Sequence, residues 1–183
     1  VYPIGEKGRK GTLGSYYAIK DYCDINPEFG TLEDFDDFVG AAHDLGLKVI
    51  IDWVANHTSP DHPWVTQKPA DWYVRDAEGN TIVEYDWTDI AKLNYESKEM
   101  RAEMEKSMRF WLDRGIDGFR CDMASLLPVE FWEYIRQEID KEHRLFMLAE
   151  SEDPLLHRKA FNTTYYWDLH HTMNGLVDRK SVV

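Results

Sequence analysis

Three short apolar runs, separated by stretches of helical period, limit what this chain can fold into. Lys48-Val-Ile-Ile-Asp-Trp-Val54, Ile116-Asp-Gly-Phe-Arg-Cys121 and Leu145-Phe-Met-Leu-Ala149 are five to seven residues long. That length suits a strand, and the first run, continuous and apolar, is typical of a parallel strand covered on both faces. Ahead of the first run, Phe35, Phe38, Val39, Ala42 and Leu45 recur at helical spacing. Thr31 reads as their N-cap with Asp34 at the capping-box position, and Gly46 as the stop. Ahead of the second, Met100, Met104, Met108, Trp111 and Leu112 share one helix face, from Ser97 to the stop at Gly115. Ahead of the third, Pro128 opens a helix carrying Phe131, Ile135 and Ile139. Helix and strand in close alternation predict βαβ units and a parallel sheet.

Each predicted strand carries polar residues at or near its C-terminal end: Asp52 with Asn56-His57, Arg120 with Asp122, and Glu150. That edge is where (β/α) barrels place their chemistry. A doubly wound sheet would use the same edge, but no Gly-rich phosphate turn joins a strand to its helix here. Gly5, Gly8, Gly11 and Gly14 lie in a polar loop instead. Tyr16 to Tyr22 reads as a short strand edge and Asn26-Pro27-Glu28-Phe29-Gly30 as a turn. From His57 to about Tyr95 the periodicity disappears, as in a functional excursion or small subdomain. Beyond Glu150 one helix is expected near 154–162, followed by a weakly determined tail.

In the strand from Ile116, side chains alternate faces, so Arg120 and Asp122 point the same way. Such a pair can simply fasten two strands. It can also hold Asp122 ionised, because a neighbouring guanidinium depresses a carboxyl pKa. Glu150, one helix later, sits on the adjoining strand with no obvious partner. Two carboxyls facing one cavity with pKa values pushed apart match the division of labour of a glycosidase: Asp122 as nucleophile, Glu150 as general acid and base.

Composition narrows the partners. A net charge of -13 argues against nucleic acid or an anionic membrane surface, and no apolar run approaches a membrane span. Aromatic residues make up 14% of the chain, which suits stacking on sugar faces as well as filling a core. Trp64, Trp72 and Trp87 read as packing. Cys23 and Cys121 read as buried thiols, not a disulfide. Adjacent His170 and His171 diverge in direction and suggest no metal.

Together these segments resemble the catalytic barrel of the α-amylase family of glycoside hydrolases. Asp52-Trp-Val-Ala-Asn56-His57 is similar to that family's first signature, Gly118-Phe-Arg120-Cys-Asp122 to its second, and Ala149-Glu150 to its third. Gly14-Ser-Tyr-Tyr17-Ala-Ile-Lys-Asp21-Tyr with Asn26-Pro-Glu-Phe-Gly30-Thr is similar to its second-strand segment. The resemblance implies an α/β fold: an incomplete (β/α)8 TIM barrel, about strands two to five. Residues 1–56 and 96–183 would form the partial barrel and 57–95 a short inserted subdomain after the third strand.

By the same resemblance Asp122 is the nucleophile and Glu150 the acid/base. Arg120 holds Asp122, His57 hydrogen-bonds a sugar hydroxyl, and Tyr17 stacks on the sugar ring. Asp21, Asp52 and Asn56 support the site. The implied reaction is retaining hydrolysis of α-1,4-glucosidic bonds in starch or malto-oligosaccharides. Transglycosylase, cyclomaltodextrinase, α-1,6-glucosidase and non-catalytic glucan-binding roles are the alternatives. Many members bind Ca²⁺ through the Asn of the first signature and an aspartate in a later motif, which here reads Lys92-Leu93-Asn94. A lysine in that place disfavours the cation, so no metal or cofactor is expected. The Lys-His pair that some members carry after the nucleophile is replaced by Met123-Ala-Ser-Leu126. The family's fourth signature has no counterpart before Val183, so the chain is expected to be a fragment, poorly active alone.

Overall fold

A computed structural model describes residues 1–11 and 13–178. The first helix, α1 (Leu32–Asp44), begins where expected: the Thr31 hydroxyl accepts from the Asp34 amide while the Asp34 carboxylate accepts from the Thr31 amide. It buries Phe35, Val39 and Ala42. Gly46 ends it at φ +75°, a conformation open to glycine. The chain then enters β1 (Ile50–Trp53), followed by the short β2 (His57–Thr58), α2 (Trp64–Gln67), a 3₁₀ turn (Ala70–Trp72) and β3 (Ala91–Lys92). Next come α3 (Lys98–Asp113), β4 (Gly118–Cys121), α4 (Val129–Ile139), β5 (Phe146–Ala149), β6 (Thr163–Thr164) and α5 (Trp167–Val177).

The main sheet has the order β1-β4-β5-β6 with every pairing parallel, the arrangement of consecutive barrel strands. The fold is thus an incomplete (β/α) barrel. Along β1 and β5 burial alternates: Ile51, Trp53, Met147 and Ala149 are buried under the helices, while Ile50 and Phe146 are exposed. The first run, expected to be covered on both faces, is therefore covered mainly on one among the described residues. The covered face is dense with aromatics. Tyr2 meets Tyr22, Trp53 and Trp111 edge-on, and the Trp111 indole N–H donates to the Tyr22 carbonyl at 2.6 Å. Trp132 on α4 donates to the Ala124 carbonyl at 2.9 Å, so these two indoles are satisfied, whereas those of buried Trp53 and Trp72 find no partner among the described residues.

Two expectations fail locally. Tyr16–Tyr22 forms no ladder with β1; its only bridge among the described residues is Ile19 with Ile4, antiparallel. Its backbone is already used in that hairpin-like contact, with the Gly5 amide on the Ala18 carbonyl and the Lys20 amide on the Pro3 carbonyl. Side chains tie it to the sheet instead, the Tyr22 hydroxyl donating to the Val54 carbonyl at 2.7 Å. Over 154–162 only the 3₁₀ turn Pro154–His157 forms. The Asn162 carboxamide oxygen accepts from the Met147 amide at 2.8 Å, and a strand and a helix follow where a tail was expected. Cys121 is buried and Cys23 half-buried, both free. No described helix is long and apolar enough to cross a membrane.

Candidate active site

Strand register assembles the site. Asp52 pairs with Arg120, and Cys121 with Ala149. The ladder continues one residue past the strands, with the Asp122 amide on the Trp53 carbonyl and the Glu150 amide on the Cys121 carbonyl, each at 2.9 Å. Asp122 and Glu150 therefore leave neighbouring strands at the same level. Gly118 makes this pairing possible: a Cβ there would lie 1.9 Å from the Phe146 carbonyl oxygen.

Arg120 is the hub. Its Nη1 reaches Asp52 Oδ1 at 2.8 Å and Asp122 Oδ1 at 2.9 Å, and its Nη2 reaches Glu150 Oε1 at 2.7 Å. Its Nε donates to the Tyr165 hydroxyl at 3.2 Å. One guanidinium thus joins three carboxyl groups in a planar fork that a lysine could not match. These contacts raise the Arg120 pKa, although burial opposes them.

The electrostatics differ from the sequence expectation. Arg120 does not hold Asp122 low. Burial, then the hydrogen bond and charge of Glu150, push Asp122 up to about 7. Arg120 pulls the other way but is divided among three acids. Nor is Glu150 without a partner, since it takes Arg120 on one oxygen and the Met123 amide on the other at 3.0 Å. Asp122 therefore keeps its proton to higher pH than a free carboxyl does.

The other candidates distribute as follows. Tyr17 is 41% exposed, so it is not core packing, and its hydroxyl donates to Asp52 Oδ2 at 3.1 Å. Asp52 thereby braces both Arg120 and Tyr17. His57 is buried, and burial lowers its pKa to about 4, with the Tyr17 backbone, Asp89 and Glu84 partly offsetting this. It is a neutral imidazole at pH 7. The Asn56 amide nitrogen lies 3.2 Å from His57 Nδ1. That nitrogen can only donate, so Nδ1 accepts and the proton rests on Nε2. Asp21 is not brought to the site: it is exposed and its carboxylate caps its own turn by accepting from the Cys23 amide at 2.8 Å.

Tyr17, His57, Arg120, Asp122 and Glu150 line one cleft of about 550 Å³. So do Lys10, Asp86, Trp87, Asp89 and Met123, which sequence reasoning left out. Trp87 stands edge-on to His57 at 5.7 Å and is not simple packing. Met123 could have been suspected only from its backbone, which adopts a left-handed φ of 45°. Tyr165 lies in the stretch expected to be tail. His170 and His171 are on exposed α5, with Asn174 contacting His170. Among the described residues no group of three or more His, Cys, Asp or Glu could hold a metal ion. Where the resemblance places a Ca²⁺, Lys92 sits level with His57 in the β2–β3 pair and forms an ion pair with Glu84 at 2.5 Å. A cation there would face an ammonium.

Comparison with known proteins agrees with this geometry. The sequence pattern of the alpha amylase catalytic domain matches residues 10–78 and 67–181. Alpha-amylase 3 of Dictyoglomus thermophilum is 34% identical over 128 residues, 59% of this chain and 26% of that protein. The alpha-1,4-glucan:maltose-1-phosphate maltosyltransferase of Arcanobacterium haemolyticum is 35% identical over 173 residues, 82% of this chain and 25% of that protein. The crystal structure of an alpha-amylase from Lactobacillus plantarum superposes with a TM-score of 0.90 at 38% identity, over 100% of this chain and 47% of that one. The chain thus spans about a quarter of these curated relatives and under half of the solved chain. With the family's catalytic-domain pattern matched across most of its length on a partial barrel, the chain belongs to the alpha-amylase family of glycoside hydrolases.

Proposed function

We propose that this chain carries the nucleophile and acid/base of a retaining hydrolase acting on α-1,4-glucosidic bonds of starch or malto-oligosaccharides. The observation that carries the reading is the Arg120 fork joining Asp122 and Glu150 at adjacent strand ends, in a cleft with Tyr17 and His57. Glu150 protonates the departing glycosidic oxygen while the Asp122 carboxylate attacks the anomeric carbon. Water, deprotonated by Glu150, then cleaves the glycosyl-enzyme and restores both groups. In this reading His57 hydrogen-bonds a hydroxyl of the sugar, and Tyr17 offers its ring to the sugar face.

Covalent trapping tests this reading. The full-length protein is treated with 5-fluoro-α-glucosyl fluoride and the labelled peptide mapped by mass spectrometry. Label on Asp122 is expected; a folded, full-length protein that takes no label there overturns it. The similarity to a maltosyltransferase favours one second reading, transfer of the glycosyl group to a sugar instead of water. Products longer than the substrate, formed from maltoheptaose, would establish it.

The residues around Asn56 do not fit Ca²⁺, because Lys92 and Glu84 already neutralise each other there. Chelator treatment is therefore expected to leave the melting temperature unchanged. A loss that added Ca²⁺ restores would refute this.

A further inference from the structure

The level at which Asp122 and Glu150 leave the sheet holds a third residue. β6 pairs with β5 so that Ala149 stands opposite Thr164, and the Tyr165 amide then donates to the Ala149 carbonyl at 3.2 Å. Tyr165 thus continues β6 by one residue, as Asp122 continues β4 and Glu150 continues β5. Side chains at one level of a parallel sheet share a face, and the Tyr165 hydroxyl reaches across β5 to accept from Arg120 Nε at 3.2 Å. The ring of Trp167, the first residue of α5, meets the Tyr165 ring edge-on at 4.7 Å and 81° and fixes its direction. The Arg120 guanidinium carbon lies 5.7 Å from the centre of the same ring. Tyr165 belongs to none of the signatures described above and is not among the residues lining the cleft.

A guanidinium carries five N–H donors in one plane, so an anchor on Nε settles where the other four point. In Arg120 the Nη1 donors go to Asp52 and Asp122 and an Nη2 donor to Glu150. Without an anchor on Nε the fork can swing about Nη1, which is held towards Asp52, and trade Asp122 against Glu150. Tyr165 closes that side. Its hydroxyl is neutral, so it sets the plane without drawing on the positive charge that three carboxyls already divide. A carboxylate in its place would take a share from Asp122, whose pKa burial and Glu150 already push up against the pull of Arg120. We propose that Tyr165 is a positioning residue, whose hydroxyl orients the Arg120 fork and so sets how firmly Asp122 is held as a carboxylate. This rests on the retaining-hydrolase reading given above and adds β6 to the elements on which that reading depends.

The test uses the full-length protein and Tyr165→Phe, which removes the hydroxyl and keeps the ring, its Trp167 contact and its place beside the guanidinium. Tyr165 is only half-buried, so the melting temperature is expected to stay near that of the parent. On maltoheptaose kcat is expected to fall about ten-fold with KM within about two-fold, as for loss of one hydrogen bond to a charged group. The charged groups facing Asp122 are Arg120 on its own strand, Asp52 on β1 and Glu150 beyond β5. With the hold of Arg120 weakened, the acidic limb of the kcat/KM profile is expected to move to higher pH by about 0.5. A fall in kcat with that limb unmoved would mark plain packing and overturn the proposal. So would parent-like kinetics, or a rise in KM alone, which would put the hydroxyl on the sugar. Carbon-13 NMR titration of the Asp122 carboxyl, assigned with Asp122→Asn, needs no turnover and separates this from failure of the hydrolase reading. A midpoint raised in Tyr165→Phe supports the positioning role even in a protein that hydrolyses nothing, and an unmoved midpoint refutes it.

Discussion

At the scale of the residue, Arg120 decides how the site behaves. Its fork spans Asp52, Asp122 and Glu150, and Tyr165 lies below its Nε. A lysine keeps the charge but presents a compact ammonium that cannot reach three carboxyls in fixed directions. Arg120→Lys in the full-length protein is therefore expected to lower kcat/KM on maltoheptaose by about 10²–10³, comparable to loss of one oriented donor. Steady-state kinetics check this, and a variant within a few-fold of the parent would remove Arg120 from its organising role. The pairing of Arg120 with Asp122 was legible from their spacing of two on one strand. The division of the guanidinium among three acids was not. Glu150 lies thirty residues away in sequence from Arg120, and only parallel register brings their side chains together.

At the scale of the element, the β4–β5 pair sets the distance between Asp122 and Glu150, and Gly118 sets how closely those strands approach. Gly118→Ala forces a methyl against the Phe146 backbone, which has no flexible end to move aside. Overpacking of this kind costs about 1–3 kcal/mol, occasionally more. A clear drop in the thermal midpoint by circular dichroism is expected, with loss of activity beyond it from disturbed register. An unchanged midpoint would mean that the strands part without cost. The principal helices were legible because Thr31, Gly46, Ser97 and Gly115 punctuate a clean 3.6-residue period. The 16–22 stretch was misread because its short run of strand-forming residues does not report what the backbone bonds to. The helix α5 was missed because none of its residues is buried, so the amphipathic stripe that periodicity detects is weak.

At the scale of the whole molecule, burial sets the response to pH. His57 and His62 are neutral in the fold, held down to about 4 and about 3, against 6.5 in the unfolded chain. The unfolded state therefore takes up protons first as pH falls. The stability these groups carry is complete above about 6.5 and is lost as pH drops towards 4. Asp122, raised from 3.8 to about 7, runs the other way: its contribution is complete below about 3.8 and is lost as pH rises to about 7. The His62→Asn variant keeps an acceptor for the Trp64 amide, which His62 Nδ1 now serves. It is expected to lose less in melting temperature between pH 7.5 and 5 than the parent. Asp122→Asn is expected to remove part of the fall between pH 4 and 7. Melting curves across that range decide both, and parallel curves for parent and variant would contradict the assignment.

The residues by themselves determined the alternation of strand and helix, the placing of Asp52, Arg120, Asp122 and Glu150 at strand ends, and the signatures that mark the family. These are local properties, carried by period, caps and short spacing. Tertiary structure alone decided which carboxyls share the guanidinium, that burial and Glu150 push Asp122 up, and that Asp21 faces solvent. It also placed Trp87, Asp86 and Lys10 at the cleft, residues that no motif connects. Such outcomes depend on burial and on distances between segments far apart in sequence. A sequence encodes those only through the packing of the whole chain, because the cost of a buried charge is set by everything that surrounds it.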